Sequence, residues 1–224
     1  MADILIETRG LAKSYFLDGG EIPVLRGIDA RILRGEIVAV TGRSGAGKTT
    51  LLNLLGALDR PSAGEILFRG KSYNELSETE FARFRNRNVG FVFQFHNLLG
   101  EFTALENVMM PLLLRRLPWN EARLRSEEIL NELELQSRLH HRPSEMSGGE
   151  QQRVAVARAL VNLPELVLAD EPSGNLDLAS GEILINLLWK LSREKRHTFI
   201  IVTHNRELAH KADRIIELQD GKIT

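Results

Sequence analysis

Three short stretches of this 224-residue chain carry residue types suited to phosphate chemistry. The first runs from Gly42 to Thr49, GRSGAGKT, and matches G-x-x-x-x-G-K-[ST]. Gly42, Gly45 and Gly47 let the backbone fold back. Successive N–H groups along Gly42, Arg43, Ser44, Gly45, Ala46 and Gly47 can then point inward at phosphate oxygens, with a helix N-terminus behind them. Lys48 adds a point charge for the β and γ phosphates, and the Thr49 hydroxyl can ligate magnesium. Because position 50 is Thr50, Gly45-x-Gly47 does not extend into a dinucleotide G-x-G-x-x-G fingerprint. The loop predicts nucleotide binding.

The second stretch, LVLADE, is an apolar run ending in Asp170 and Glu171, stopped by Pro172. Adjacent strand residues face opposite ways, so the two carboxylates have separate surroundings and can hold separate roles. Asp170 suits magnesium through water, and Glu171 suits the acceptance of a proton from an attacking water. The third stretch, Ser147-Gly148-Gly149-Glu150, opens the helical run Gln151 to Leu160. Ser followed three residues later by Glu is a capping box, which explains both residues without a ligand. It does not explain the glycine pair, which leaves an unshielded helix start suited to an anion. One nucleotide is thus offered two phosphate-binding helix starts.

These residues need elements to position them. Ile4 to Ile6 and Val24 to Ile32, separated by Asp18-Gly19-Gly20, read as antiparallel strands. Glu36 to Thr41, Val89 to Phe93, Leu166 to Ala169 and Phe199 to Val202 are short apolar runs of the kind buried on both faces. Helical patterns follow them at Thr50 to Leu58 and from Leu178, where Ile183, Leu184, Leu187, Leu188 and Leu191 are expected on one face. Strands alternating with helices predict an α/β fold with a mostly parallel sheet and an N-terminal antiparallel β subdomain. The stretch from about 95 to 146 lacks a strand pattern and contains helical runs, notably Glu121 to Leu135. It is expected to be a helical subdomain inserted in the core. Asp220-Gly221 signals a terminal hairpin.

Composition narrows the function classes. Twenty-nine basic and 30 acidic residues give a net charge of −1, which disfavours a nucleic-acid binder. Arg83, Arg85 and Arg87 are expected to form a solvated face. There is no cysteine, so disulfides, thiolate metal sites and cysteine nucleophiles are excluded, and the pair His140-His141 lacks zinc-type spacing. The stretch MADILIETRG has acids where a signal peptide carries bases, and no apolar run approaches the roughly 18 residues of a membrane span. A cytosolic chain without a span of its own is the expectation.

Taken together, these motifs resemble those of the nucleotide-binding subunits of ABC transporters, with a P-loop NTPase core, over essentially the whole chain. GRSGAGKT is similar to the family's Walker A, LVLADE to its Walker B and MSGGEQQ to its signature, with Met146 and Glu150 where leucine and glutamine are commoner. The resemblance implies an ATPase using ATP and Mg2+. It also implies Gln94 as the Q-loop glutamine and a magnesium ligand, Asp177 as the D-loop acid, His204 as the switch histidine and Tyr15 as the adenine-stacking aromatic. It further implies a homodimer in which the signature of one copy closes over the nucleotide held by the other, coupling chemistry to a large motion.

Within the family, FHNLLGEFTALENVMMPLL resembles the lipoprotein-releasing ATPases, whose relatives include the macrolide-efflux (MacB-like) and cell-division (FtsE-like) ATPases. That group implies integral permease subunits of the LolC/LolE kind and a peripheral place at the cytoplasmic face of the inner membrane. The groove around the Q-loop would receive a permease helix. Phe93, Phe95, Leu98, Leu99, Phe102, Met109 and Met110 could line it, though most of them are expected to be subdomain core. An efflux ATPase and a cell-division ATPase that moves no substrate remain as other readings. A DNA-associated ATPase does not fit, since Lys48 to Ser147 leaves no room for a long coiled coil.

Overall fold

Alternation along the buried strands sets the layers. A computed structural model describes residues 3–17 and 19–224. In chain order these form β1 (Ile4–Leu17), β2 (Gly20–Leu33), β3 (Ile37–Thr41), α1 (Lys48–Leu55), β4 (Ala63–Phe68), β5 (Lys71–Ser72), α2 (Glu78–Asn88) and β6 (Val89–Val92). There follow α3 (Ala104–Leu114), α4 (Trp119–Glu132), α5 (Gly148–Leu160), β7 (Leu166–Asp170), α6 (Leu178–Lys195), β8 (Thr198–Val202), α7 (Arg206–Lys211), β9 (Arg214–Gln219) and β10 (Lys222–Ile223).

A six-stranded sheet has the order β10-β9-β3-β8-β7-β6, parallel throughout except at the β9–β10 hairpin. Both faces of β3, β6, β7 and β8 are buried, as their unbroken apolar runs require, while β9 and β10 are largely exposed. Val167, Ala169, Phe199 and Ile201 face one core with α3, α4, α5 and α6. Their neighbours Leu166, Leu168, Ile200 and Val202 face a second core with α1 and the N-terminal strands. Those strands form an antiparallel sheet in the order β2-β1-β4-β5. The architecture is the α/β, mostly parallel P-loop arrangement with an antiparallel N-terminal sheet. No helix of the described residues is long and apolar enough to cross a membrane.

Several local expectations differ from the structure. The strands Ile4–Ile6 and Val24–Ile32 belong to a much longer hairpin, bulged at several points; Asp18 of the expected turn lies outside the described residues. α1 stops at Leu55 rather than Leu58, because Ala57 takes a left-handed φ of 56°. On α6 the buried face is Leu184, Ile185, Leu188 and Leu191, while Ile183 is 52% exposed. Leu184, Leu188 and Leu191 lie where expected and Leu187 is half-buried; only Ile183 gives way, and Ile185 is buried in its stead. α5 begins at Gly148, so both signature glycines lie in its first turn. Arg83, Arg85 and Arg87 sit on α2, and Arg85 is half-buried, donating to the Ala57 carbonyl at 2.7 Å. The hairpin at Asp220-Gly221 forms with φ values of 48° and 78°, the turn such a pair favours.

Between β6 and β7 the described residues form helices and turns, without a strand. Asn107, fully buried on α3, organises the loop before that helix. Its side chain accepts from Leu99 N and donates to the carbonyls of Leu99, Phe102 and Thr103.

Candidate nucleotide site

The loop after β3 is shaped by what glycine alone tolerates. Gly42 has φ 145°, and a Cβ there would stand 2.1 Å from the Leu218 carbonyl oxygen. Gly47, at φ 99°, packs against Val24 and Leu25 of β2. Gly47 is also the N-cap of α1 and has no side chain to cap it, so the first-turn N–H groups stay open for an anion. Arg43, Ser44 and Gly45 are exposed, Ala46 is buried, and Thr50 is half-buried on α1. Lys48 Nζ folds back over the loop, donating to the carbonyls of Gly42 at 2.9 Å and Arg43 at 3.0 Å.

Parallel pairing brings the ends of β3, β7 and β8 together. Thr49 Oγ1 donates to Asp170 Oδ2 at 2.8 Å, which puts two hard oxygen donors beside Lys48. Glu171 N continues the ladder to Val202 O, but the residue then turns with φ 46°. A non-glycine residue held there stores strain of about 1–2 kcal/mol. The turn carries its carboxylate, only 16% exposed, to 2.7 Å from His204 Nδ1. Gly174 packs between the two remaining groups: a Cβ there would stand 3.2 Å from Gln94 Nε2 and 3.4 Å from Glu171 Cβ. Lys48, Thr49, Asp170, Glu171, His204 and Gln94 therefore gather at the carboxyl ends of the parallel strands, where such sheets bind ligands.

Other candidates stand elsewhere. Tyr15, on the β1–β2 hairpin, donates to Asp59 Oδ2 at 3.2 Å and has Lys13 Nζ 5.0 Å from its ring centroid. Asp177 caps α6, accepting from Ser180 N at 3.0 Å. Ser147 and Glu150 do form the capping box: Glu150 N donates to Ser147 Oγ at 3.3 Å, and Ser147 N to Glu150 Oε2 at 2.8 Å. The nearest atoms to a Cβ on Gly148 and Gly149 belong to Leu176 and Ser180, not to the phosphate loop. Of the apolar groove candidates, Met109 is buried and Leu98 packs against the core, while Phe95, Leu99 and Phe102 are exposed. Phe93 stacks on Phe91 at 5.5 Å.

Two residues to which motif reading gave no role join these parts. Asn175 exchanges bonds with Gln94, accepting from its Nε2 at 3.1 Å and donating to its carbonyl at 3.0 Å. Gln152 is fully buried on α5 and reaches the segments of Gln94 and Glu171. The available signal was a polar residue inside the apolar face Val154, Ala155, Leu160.

The Glu150 carboxylate is held far below its ordinary value of 4.5, to about 2, by the Ser147 N–H and then by Arg138, whose Nε donates at 2.7 Å. A lowered folded pKa contributes stability above about pH 4.5 that is lost as pH falls through about 2. Glu150→Ala is expected to lower stability by about 1–2 kcal/mol at pH 7. Thermal melts against pH should show the gap to the parent chain closing in acid.

The sequence model of the ABC transporter family matches residues 25–174. The chain belongs to the ABC transporter family. Two relatives described as lipoprotein-releasing system ATP-binding protein LolD are each 52% identical to it. The one from Syntrophus aciditrophicus aligns over 98% of both chains, and the one from Porphyromonas gingivalis over 98% of this chain and 99% of its own. A solved dimeric ATP-binding cassette in a post-hydrolysis state, bound to ADP and Pi, superposes with a TM-score of 0.90 at 39% identity, covering 98% of this chain and 96% of that one. This ABC ATPase is of the LolD type and binds ATP.

Proposed function

We propose that this ABC ATPase drives release of lipoproteins from the inner membrane toward the outer membrane, as the peripheral ATP-hydrolysing subunit of a membrane complex. The observation that carries this reading is the 52% identity to LolD proteins across 98% of the chain. Residues 1–224 act as one nucleotide-binding domain, with the helices of about 95–146 as its inserted subdomain. Its partners are a second copy of itself and integral permease subunits of the LolC/LolE kind, at the cytoplasmic face.

The loop Gly42 to Thr50 holds the triphosphate through backbone N–H groups and Lys48, and Tyr15 stacks on the adenine. Magnesium, when bound, offsets charge on the β and γ oxygens, and the oxygens of Thr49, Asp170 and Gln94 fit its hard-donor preference. Glu171 accepts a proton from water as the water oxygen bonds to the γ phosphorus and the bond to the β–γ bridging oxygen breaks. His204, hydrogen-bonded to Glu171, orients that carboxylate. Ser147, Gly148, Gly149 and Asp177 of the second copy close the site, and Glu150 holds their helix start in shape through the capping box.

The permease docks in a groove of about 900 Å³ beside the Q-loop. Its apolar lining includes Phe91, Phe93 and Leu114, and Arg83, Arg85, Arg87, Arg115, Arg116 and Arg158 line it without a carboxylate. None of the six joins the ion pairs formed among the described residues, so an acidic amphipathic segment is its complement.

Two experiments test this. Reconstituted with its permease in proteoliposomes, the chain should release lipoproteins only with ATP; intact ATPase activity without release would overturn the lipoprotein reading. Charge reversal at Arg83, Arg87 and Arg116 should weaken permease affinity at least about tenfold and leave the isolated chain's ATP binding unchanged.

A further inference from the structure

We infer that Gln152 is a positioning residue that ties the signature helix to both the Gln94 strap and the Glu171 turn of the same chain. Its side chain is fully buried, and Nε2 donates one proton to the Phe93 carbonyl at 3.1 Å and the other to the Pro172 carbonyl at 2.7 Å. Phe93 immediately precedes Gln94, and Pro172 immediately follows Glu171. One amide group thus holds the peptide unit leading into Gln94, the proposed magnesium ligand, and the peptide unit one residue beyond Glu171, the proposed proton acceptor.

The orientation of that amide has no alternative. Turning it over would set Oε1 against two carbonyl oxygens, acceptor against acceptors. As it stands, Oε1 is buried without a partner. An unpaired buried acceptor is costly, and it persists here because both donors are committed to distant segments. Arg158, six residues further along α5, adds a second hold on the same strap, donating to the His96 carbonyl at 2.8 Å and the Asn97 carbonyl at 2.7 Å. The strap is closed from its other side by the paired bonds between Gln94 and Asn175.

α5 begins at Gly148, one turn before Gln152. A helix of 13 residues moves as a rigid element, so displacement of its glycine start carries Gln152 and with it the Phe93 and Pro172 peptides. In the two-copy reading proposed above, on which this step rests, that glycine start touches the nucleotide of the partner copy. Gln152 then reports the state of one nucleotide site to the hydrolytic groups of the other.

Gln152→Met keeps length and volume and removes both donors. Gln152→Glu keeps an acceptor and, ionised, removes the same donors. With the full chain and ATP, both variants should lose at least about tenfold in kcat and retain the ATP Kd within about twofold. The Hill coefficient for ATP should fall toward one. A purely structural role would instead lower kcat in proportion to melting temperature, differently for an apolar and a charged replacement. Retention of parental kcat and Hill coefficient by either folded variant overturns the assignment, as does a kcat loss that follows melting temperature. The two-copy reading is tested separately, by ATP-dependent dimerisation of Glu171→Gln with Gln152 intact. If no dimer forms there, that reading fails, while kcat still decides whether Gln152 positions its own site.

Discussion

Glu171→Gln is expected to lower ATP turnover by about 10²–10³-fold while leaving ATP binding intact. The replacement is nearly isosteric, and its carboxamide can still accept from His204 Nδ1, 2.7 Å from Glu171 Oε1 in the parent chain. The left-handed turn at φ 46° comes from the backbone, with Glu171 N bonded to Val202 O and Gly174 N to Glu171 O. Geometry is therefore retained and only the capacity to accept a proton from water is lost. Because hydrolysis is the proposed step that reopens the dimer, the variant should also persist as an ATP-stabilised dimer. Single-turnover phosphate release and size-exclusion chromatography with ATP measure the two effects. Parental turnover would remove Glu171 as the proton acceptor.

Lys48→Ala is expected to weaken ATP binding by at least about 100-fold, or about 2.7 kcal/mol. Lys48 is the only lysine or arginine side chain of the loop bonded inward, bracing the carbonyls of Gly42 and Arg43. Its removal deletes a charge-assisted bond to phosphate, which is worth more than a neutral one. It also frees the two carbonyls to turn toward the anion, adding repulsion where attraction was lost. Lys48→Arg should recover little, because a planar guanidinium does not fill the place of a compact ammonium. Isothermal titration with ATP checks both variants. Unchanged affinity in Lys48→Ala would contradict the phosphate-loop assignment.

Much of the fold was legible because its signals are local. The four buried strands announce themselves as short apolar runs, and the capping box at Ser147 marks a helix start from residues three apart. The burial of Ile185 rather than Ile183 on α6 was not legible. Ile183 and Ile185 are equally apolar, and only the packed core, which takes in Ile185 and leaves Ile183 exposed, chooses between them. Of the arginines of α2, Arg83 and Arg87 are exposed as expected and Arg85 is half-buried, and the groove they line was not legible for a related reason. That groove exists only once α3 and the end of α5 are set beside α2 and β6, and its lack of carboxylates is a property of those segments together.

The candidate site divides the same way. Residue type and spacing by themselves determined the phosphate loop, the Asp170-Glu171 pair and the glycine start of α5, because backbone freedom, charge and capping act within a few residues. Tertiary structure alone decided which of these meet. It set Thr49 against Asp170 and Glu171 against His204, left the signature glycines away from their own chain's loop, and placed Gln152 between two motifs. Those juxtapositions depend on strand order in the parallel sheet and on the burial of α5, both of which arise from contacts between residues separated by tens of positions. No local preference encodes such a pairing; it appears only when burying both faces of the sheet forces the segments together.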